Sequence, residues 1–382
     1  MRILQIIAGM DIGGAHGGAE RCGLELARGL AHQHSVELCA FWQRGTAVEQ
    51  EWTARLQAEG IPYFFATPLG SARHPAAYLD GLRRILRRCP IGNGCFDIAH
   101  SHFQLGSLAA VLLRRKGAAT RALRTAHVTL EWGPGLANTL GRWVFDDWVF
   151  PLMLDGEAGV SQAVVDRLSR SPGISLIHRH PRLVYNAIPQ ENARSSVNPR
   201  SNLLVIGAVG RLTAQKDYPC LLDAFALLLQ DMPDLKLMIV GDGEQRPFLE
   251  EKAKRLVDAG WVTFLGQRTD ITALLDQMDL FVLPSLWEGL PTVVLECMAA
   301  GVPVIASDIP GTRELIIPGV TGWLFTPRQP RKLAETISYV LHHPLEIQRV
   351  IQAAASQIGQ FSLSREVYEY QKLYQELLLK NS

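Results

Sequence analysis

The sequence predicts two α/β domains, each with a parallel sheet covered by helices on both faces. Short apolar runs without polar alternation, such as Leu280–Leu283, are typical of parallel strands that are buried on both sides. These runs alternate with helical segments in two series, the first over residues 1–185 and the second over 186–362. Since 382 residues exceed the usual size of one domain, we expect two Rossmann-like domains with separate cores.

The first series begins with a buried strand at residues 2–8 and a glycine-rich segment at 9–20, followed by a helix that ends near Ala31. Glycines in such a strand-to-helix turn let the backbone approach a phosphate closely, and Glu20 suits the first helical turn. Further strands are predicted at residues 36–41, 63–65, 97–100, 122–125 and 156–160. We expect a doubly wound sheet whose first turn meets a ligand.

The glycine-rich segment does not favour a dinucleotide cofactor. Its glycines, at positions 9, 13, 14, 17 and 18, do not have the G-x-G-x-x-G spacing of NAD-binding domains. The second strand ends in Phe41 and Trp42, without the acidic residue that would hold a ribose. NAD binding is therefore not expected.

Three histidines follow the carboxyl ends of predicted strands, which is where open α/β sheets bind ligands. His100 and His102 lie at the end of the strand at 97–100, and His127 follows the strand at 122–125. A single histidine is more often structural than catalytic. For His100 and His102, both packing and contact with an acceptor stay open.

The second series follows a polar linker, which we predict within residues 184–202. Its strands are predicted at residues 203–209, 236–240, 262–265 and 280–283, and amphipathic helices run from about Arg331 to Lys380. Arg211 and Lys216 lie just past the first of these strands. Two fixed cations at a strand end suit a diphosphate, although two surface cations are the alternative.

The stretch from Pro284 to Ser307 contains a glycine turn, a helix and a second apolar strand. Pro291 suits the first position of that helix, and the free N–H groups after it form an anion site with the helix dipole. Glu288 and Glu296 bracket this site and suggest sugar hydroxyls as partners. Two solvated glutamates on an ordinary crossover are the alternative.

The string E-G-L-P-T-V-V-L-E, from Glu288 to Glu296, resembles the E-x7-E signature of retaining GT-B glycosyltransferases of family GT4, also called group 1. The resemblance spans nearly all of the chain and is strong in the second half. It implies a GT-B fold, with two Rossmann-like domains facing a cleft and a C-terminal helix that crosses back to the first domain. The implied boundaries are 1–185 plus 363–382 for the acceptor-binding domain, and 186–362 for the nucleotide-sugar domain.

The resemblance also implies roles for single residues. Arg211, Lys216, Glu288 and His127 match the catalytic positions: the two cations meet the charge on the diphosphate, Glu288 bonds the donor sugar, and His127 reaches its hydroxyls. Glu296 matches the residue that bonds the ribose. The other implied contacts with the nucleotide sugar are Gly17, Gly18, Gly243, Gln267, Arg268, Gly289, Leu290, Pro291 and Thr292.

This chain departs from the family pattern at two places. Asp217 replaces the glycine of the G-R-x5-G pattern, which puts the conformation of that loop in question. In the hinge, Ala187 replaces a glycine and Pro189 with Gln190 replaces an acid, so the hinge chemistry is not carried over.

Composition excludes several classes of protein. With 47% apolar residues, 20% charged residues and a net charge of +1, the chain is neither a disordered tail nor a basic nucleic-acid binder. Its six cysteines contain no C-x-x-C pair, which disfavours a zinc site and a disulfide framework and fits a reducing cytoplasm. No apolar run is long enough for a membrane span. We expect no metal and no cofactor besides the donor, a UDP-, GDP- or ADP-sugar.

Charge is distributed unevenly between the two halves. Residues 1–185 carry 20 basic against 15 acidic residues, and 186–382 carry 18 against 22. The arginines at 83, 84, 87 and 88 could lie on an anionic membrane leaflet, or they could form a solvated face.

The expected function is transfer of a hexosyl or N-acetylhexosaminyl unit, with retention, to a lipid-linked acceptor or a cell-surface polysaccharide precursor. The expected location is the cytoplasm, at the periphery of the inner membrane face. A GT-B nucleotide-sugar epimerase and a non-catalytic sugar- or lipid-binding module are the alternatives.

Overall fold

The computed structural model describes residues 1–12, 17–71, 74–88, 94–128, 136–188 and 204–380. Their contacts divide the chain into two units. The first contains the described residues up to Ala187 and the C-terminal segment that begins at Leu363, and the second runs from Ile188 to Ser362. Part of the glycine-rich segment, 13–16, lies outside the described residues, and so do residues 189–203, which include most of the linker predicted within 184–202.

A seven-stranded parallel sheet forms the centre of the first unit. Its strands are β1 Arg2–Gly9, β2 Ser35–Trp42, β3 Tyr63–Phe65, β4 Phe96–Ser101, β5 Ala119–Ala126, β6 Gly156–Gly159 and β7 Arg182–Leu183. Their order is β3-β2-β1-β4-β5-β6-β7, so the direction of winding reverses between β1 and β4. Every predicted strand of this series is present, and each boundary lies within three residues of its prediction.

Helices connect these strands: α1 Gly18–Ala31, α2 Ala47–Ala58, α3 Pro75–Arg88, α4 Gln104–Arg115, α5 Leu136–Val144, α6 Phe150–Met153, α7 Gln162–Ser169 and α8 Pro172–Ile177. Side-chain caps explain several starts. Thr46, Ser161 and Ser171 each accept a hydrogen bond from the backbone N–H three residues on, which satisfies a donor that the helix leaves open.

Residues 143–150 are rich in aromatic side chains, a composition that predicts a core helix, but they do not form one buried helix. A π-helical turn, Phe145–Val149, separates α5 from α6, and the exposed fraction of Trp143 is 55%. The buried residue of this turn is Asp146, whose carboxylate lies 2.7 Å from Nη1 of the buried Arg124. A buried ion pair, rather than the tryptophan, therefore holds this turn to β5.

The second unit has a six-stranded parallel sheet. Its strands are β8 Leu204–Val209, β9 Leu235–Val240, β10 Val262–Phe264, β11 Leu280–Leu283, β12 Val304–Ser307 and β13 Trp323–Phe325. The order β10-β9-β8-β11-β12-β13 puts the reversal of winding between β8 and β11. Its helices are α9 Tyr218–Leu228, α10 Arg246–Asp258, α11 Ile271–Leu275, α12 Thr292–Ala300, α13 Pro310–Arg313, α14 Pro330–Leu341 and α15 Pro344–Gln357.

The C-terminal helix α16, Leu363–Leu379, packs on the first unit, as predicted. An apolar stripe of this helix is buried in the same core cluster as Ile3, Leu24 and Leu30: it consists of Val367, Tyr370, Leu373, Tyr374 and Leu377. Burial of this stripe is the driving force that returns the end of the chain to the first sheet.

Within the described ranges, no helix combines the length and the apolar character that crossing a membrane requires.

Candidate active site

Three loops at the carboxyl edge of the second sheet are hydrogen-bonded into one scaffold. In the loop after β8, the Leu212 N–H donates to Asp242 O of the next loop at 2.9 Å. On its other side, the Leu286 N–H donates to Gln215 O at 2.8 Å, and Gln215 Nε2 donates to Trp287 O at 2.7 Å. The scaffold lies at the switch point between β8 and β11, where open parallel sheets bind ligands.

Lys216 and Glu288 meet within this scaffold. Lys216 Nζ lies 2.5 Å from Glu288 Oε1, and Ser285 Oγ donates to the same oxygen at 2.7 Å. Glu288 is 8% exposed and Ser285 is fully buried. A cation and an acid from two loops, 72 positions apart in sequence, are thus held together at the carboxyl edge of the second sheet.

Close backbone approach explains one glycine of the scaffold, Gly243, and one in α13 that packs against it, Gly311. A Cβ on Gly243 would lie 2.5 Å from Leu212 O, and a Cβ on Gly311 would lie 2.6 Å from Gly289 O. Any larger residue would force the loops apart, since real Cβ atoms do not approach oxygen so closely. Gly243 therefore has a structural reason for being glycine, whatever it contacts in a ligand.

The start of α12 differs by one residue from its prediction. Pro291 is the N-cap, with φ −73° and ψ 103°, and Thr292 is the first helical residue. Pro291 was predicted at the first helical position, and that prediction is wrong, because an extended ψ still suits the residue that precedes the first turn. The open N–H groups begin at Thr292.

Glu296 lies on the second turn of α12 and is 6% exposed. Gly289, Leu290 and Pro291 are buried, and Thr292 is half-buried. The solvated-glutamate alternative is therefore wrong for both acids, since neither Glu288 nor Glu296 lies on an exposed face.

The remaining predicted nucleotide residues lie at the rim of the same edge. Arg211 is exposed, and Arg268, after β10, is exposed and bonds Asp270 through Nε and Nη2 at 2.8 and 2.6 Å. Gln267 is half-buried. The Arg268 guanidinium is thus paired with its neighbour Asp270.

Asp217 keeps the loop conformation that a glycine would have. Its φ and ψ are both 44°, in the left-handed region where glycine is favoured and aspartate is tolerated. Lys216 therefore stays at the end of a 3₁₀ turn, Ala214–Lys216, despite the departure from the family pattern.

A second group of candidate residues lies at the carboxyl edge of the first sheet. The Gly17 N–H donates to the Glu20 carboxylate at 2.8 Å, so Glu20 caps the start of α1. Gly18 is the first residue of that helix. His127 follows β5, is 9% exposed and hydrogen-bonds His102 at 3.1 Å.

His100 and His102 belong to a buried hydrogen-bonded network. His100 contacts the hydroxyls of Tyr374 and Thr125, each at 2.8 Å, and His102 contacts Gln5 at 2.8 Å. Burial lowers the pKa of His100 to about 3 and that of His127 to about 4, and it holds the pKa of His102 well below its usual value. All three rings are neutral at physiological pH.

Sequence reasoning missed Ser285 and Gln5. Ser285 lies beside Glu288 with no pattern to mark it. Gln5 has a signal that was available: it is a single amide in an otherwise apolar buried strand, and a buried amide needs partners.

Solved structures identify the architecture. HepE of Anabaena, in complex with UDP and glucose, superposes with a TM-score of 0.78 over 98% of this chain and 100% of its own, at 20% identity. Two parallel sheets with this coverage define a GT-B glycosyltransferase fold, so the predicted fold class is confirmed.

Two family models match successive parts of the sequence. Glycosyltransferase Family 4 matches residues 16–191, and Glycosyl transferases group 1 matches residues 189–357. The chain belongs to this family of GT-B glycosyltransferases, which confirms the resemblance at the level of the family.

Two relatives illustrate the range of similarity. EpsD of Bacillus subtilis (strain 168), which is named as a glycosyltransferase, is 28% identical over 343 residues, 85% of this chain and 89% of its own. The Vi polysaccharide biosynthesis protein VipC/TviE of Salmonella typhi is 30% identical over 178 residues, 44% of this chain and 31% of its own.

Proposed function

We propose that this glycosyltransferase moves a hexosyl or N-acetylhexosaminyl unit from a nucleoside-diphosphate sugar to an acceptor, with retention of the anomeric configuration. The observation that carries the proposal is the Lys216–Glu288 pair at the switch point of the second sheet. A cation of a type that suits a phosphate and a carboxylate of a type that suits hydroxyls lie side by side in this pair, which supports the proposal.

In the proposed reaction the bond between the anomeric carbon and the diphosphate oxygen breaks, and the electron pair leaves with the diphosphate. Arg211, Lys216 and the N–H groups at the start of α12 stabilise the charge that grows there. These groups would do so without a metal ion. The acceptor hydroxyl attacks from the face that the diphosphate leaves and passes its proton to a departing phosphate oxygen.

The remaining candidates have binding roles in this proposal. Glu296 bonds the ribose hydroxyls, and Glu288 bonds the donor sugar beside Lys216. His127 contacts a sugar hydroxyl. The other contacts with the nucleotide sugar are Gly17, Gly18, Gly243, Gln267, Arg268, Gly289, Leu290, Pro291 and Thr292. HepE, which binds UDP and UDP-glucose in its solved complexes, supports a donor of this class.

For the acceptor we propose a lipid-linked or cell-surface polysaccharide precursor. The Vi polysaccharide biosynthesis protein, whose similarity covers 44% of this chain, supports a polysaccharide context. The basic helix α3 supports an acceptor that is presented at an anionic membrane surface.

The test is to incubate the protein with UDP-, GDP- and ADP-sugars, with and without lipid-linked acceptors, and to measure release of the nucleoside diphosphate. Product NMR then gives the anomeric configuration. Acceptor-dependent release with a retained configuration is expected. Conversion of the donor sugar without any acceptor would support an epimerase instead, and binding without turnover would support a sugar-binding module.

A further inference from the structure

One buried nitrogen in the first unit has no protein partner. His127 Nδ1 is buried and makes no hydrogen bond to any part of the chain that the structure describes. The other ring nitrogen, Nε2, lies 3.1 Å from His102 Nδ1. An unsatisfied buried nitrogen costs free energy unless a ligand completes it.

The direction of the hydrogen bonds behind His127 follows from Gln5. Gln5 Nε2 donates to the Tyr374 hydroxyl at 3.0 Å, which turns its carbonyl oxygen, Oε1, toward His102 Nε2 at 2.8 Å. An amide oxygen only accepts hydrogen bonds. His102 Nε2 therefore carries a proton and donates it to Gln5.

The protonation of His127 follows by the same reasoning. Because a neutral imidazole carries one proton, His102 Nδ1 is a bare acceptor. His127 Nε2 must then carry the proton of its ring and donate to His102 Nδ1. The neutral His127 ring is left with a bare lone pair on Nδ1, the nitrogen that has no protein partner.

We propose that Gln5 and His102 are positioning residues that hold His127 in the Nε2–H tautomer, so that its Nδ1 accepts a hydrogen bond from a hydroxyl of the donor sugar. The identity of the ligand rests on the proposed function. The tautomer itself rests on the hydrogen-bond directions alone.

The surroundings keep the rings neutral and fixed. Burial lowers the pKa of His127, whereas the nearby Glu20 carboxylate raises it by a smaller amount. His100 on β4, with Tyr374 and Tyr370 on α16, encloses the other side of the network. Gly23 of α1 lies against the His102 ring, where a Cβ would come within 3.2 Å.

A specificity follows from the bare lone pair. A hydroxyl at this position can donate to Nδ1, whereas a fluorine in its place only accepts and leaves Nδ1 unpaired. We expect one deoxyfluoro analogue of the active donor to lose about tenfold in kcat/KM, the value of one hydrogen bond. The loss should disappear in His127→Ala, which has no lone pair to satisfy.

We call the hydrogen-bonded series Gln5–His102–His127 the relay. The experiment that tests it needs no substrate. Protein labelled with ¹⁵N-histidine is studied by NMR spectra that correlate ring nitrogens with ring protons, which distinguish the two neutral tautomers. Wild-type His127 is expected as the Nε2–H tautomer. An Nδ1–H tautomer in the wild type would overturn the proposal.

Variants test which residues set the tautomer. Gln5→Met removes the acceptor for His102 and should give a mixture of tautomers at His127, so that kcat/KM on UDP-, GDP- or ADP-glucose falls in proportion to the lost Nε2–H fraction, about twofold for an even mixture. Tyr370→Phe is the matched control, since its hydroxyl bonds Thr125 and not Gln5 or His102, and it should keep the single tautomer. A single unchanged tautomer in Gln5→Met would overturn the relay.

The tautomer of His127 and the glycosyltransferase activity are tested by separate measurements. The expected tautomer without turnover of any nucleotide sugar supports the relay and counts against the proposed function. Turnover with the opposite tautomer supports the function and removes the relay.

Discussion

Lys216 Nζ lies 2.5 Å from Glu288 Oε1, and both side chains are largely shielded from solvent. The cation is therefore held in place by an acid before any donor binds. A diphosphate would compete with that acid for the ammonium group, while Ser285 retains its hydrogen bond to the carboxylate. Such preorganisation removes the cost of fixing a flexible lysine at the moment of reaction.

Arg211 and Lys216 form the proposed phosphate clamp, and loss of either cation should slow turnover. Because Arg211 and Lys216 are expected to meet charge that grows in the transition state, Arg211→Ala and Lys216→Ala should each lower kcat by about 10²-fold or more. Release of nucleoside diphosphate at saturating donor is the measurement.

The matched control is Lys252→Ala, which removes a lysine of the same unit that pairs with Asp223 on an exposed surface. It should leave kcat unchanged, and EDTA should have little effect on the wild type. Full turnover in Lys216→Ala, or activity that vanishes with chelation, would contradict a metal-independent clamp.

Substitution of the two buried acids, Glu288 and Glu296, should affect binding and transfer to different extents. Glu296→Gln should mainly weaken binding of the free nucleoside diphosphate, since its proposed partner is the ribose. Glu288→Gln should depress transfer more than it weakens that binding, since its proposed partner is the sugar. Calorimetry with UDP, GDP and ADP, combined with kcat, separates the two, and equal losses of diphosphate affinity would remove the distinction.

The basic helix α3 should bind anionic vesicles at low salt if it meets a membrane. Each basic residue near the surface adds about 1 kcal/mol, and the attraction falls as salt screens it. Two of its arginines already have protein partners: Arg83 lies 3.0 Å from Asp80 and Arg88 lies 2.6 Å from Glu37. The exposed Arg84 and Arg87 are therefore expected to contribute most.

Sedimentation with anionic vesicles measures this contribution. Changing Arg83, Arg84, Arg87 and Arg88 together to Gln should abolish sedimentation with the vesicles. The double variant Arg84→Gln with Arg87→Gln should lose most of this sedimentation and keep donor hydrolysis. Lys254→Gln with Arg255→Gln, on the exposed face of α10, removes the same charge and should change nothing. If the wild-type protein does not sediment with anionic vesicles at low salt, the arginines of α3 form a solvated face.

Glu366 should make the first unit less stable as pH rises. Burial raises the pKa of its carboxyl from 4.5 to about 8, an effect that the Ala187 N–H partly offsets and that Glu25 reinforces. Between these two values the unfolded chain loses the proton and the folded chain keeps it. The contribution to stability is therefore fully present below about pH 4.5 and is lost as pH rises through about 8.

Glu366→Gln keeps an acceptor for the Ala187 N–H and cannot ionise. Its melting temperature should exceed that of the wild type by an amount that grows from pH 5 to pH 9, as measured by thermal unfolding. Glu369→Gln is the control, since Glu369 lies on the same helix but is only half-buried. The difference between its melting temperature and that of the wild type should not change with pH. A constant difference for Glu366→Gln across this range would show that its carboxyl is not held neutral.

The two-sheet architecture was readable in the sequence because parallel strands covered on both faces give apolar runs, and connecting helices give a 3.6-residue period. The strands Leu280–Leu283 and Tyr63–Phe65 coincide with their predictions. Boundaries differed where a cap decides them, as at Pro291. At residues 143–150 a π-helical turn interrupts the helix: Asp146 of this turn is buried with Arg124, whereas Trp143 at the end of α5 is exposed.

The sequence by itself determined which chemical groups are present: cations after β8, acids 8 positions apart around a helix start, and histidines at strand ends. Only the tertiary structure decided their partners. Lys216 pairs with Glu288, and Gln5 contacts His102, because strands distant in sequence lie side by side in the sheets. Through His102, Gln5 determines which nitrogen of His127 carries the proton in the proposed arrangement. Hydrogen-bond direction depends on which atoms meet in space, and strand order, not spacing along the chain, determines that.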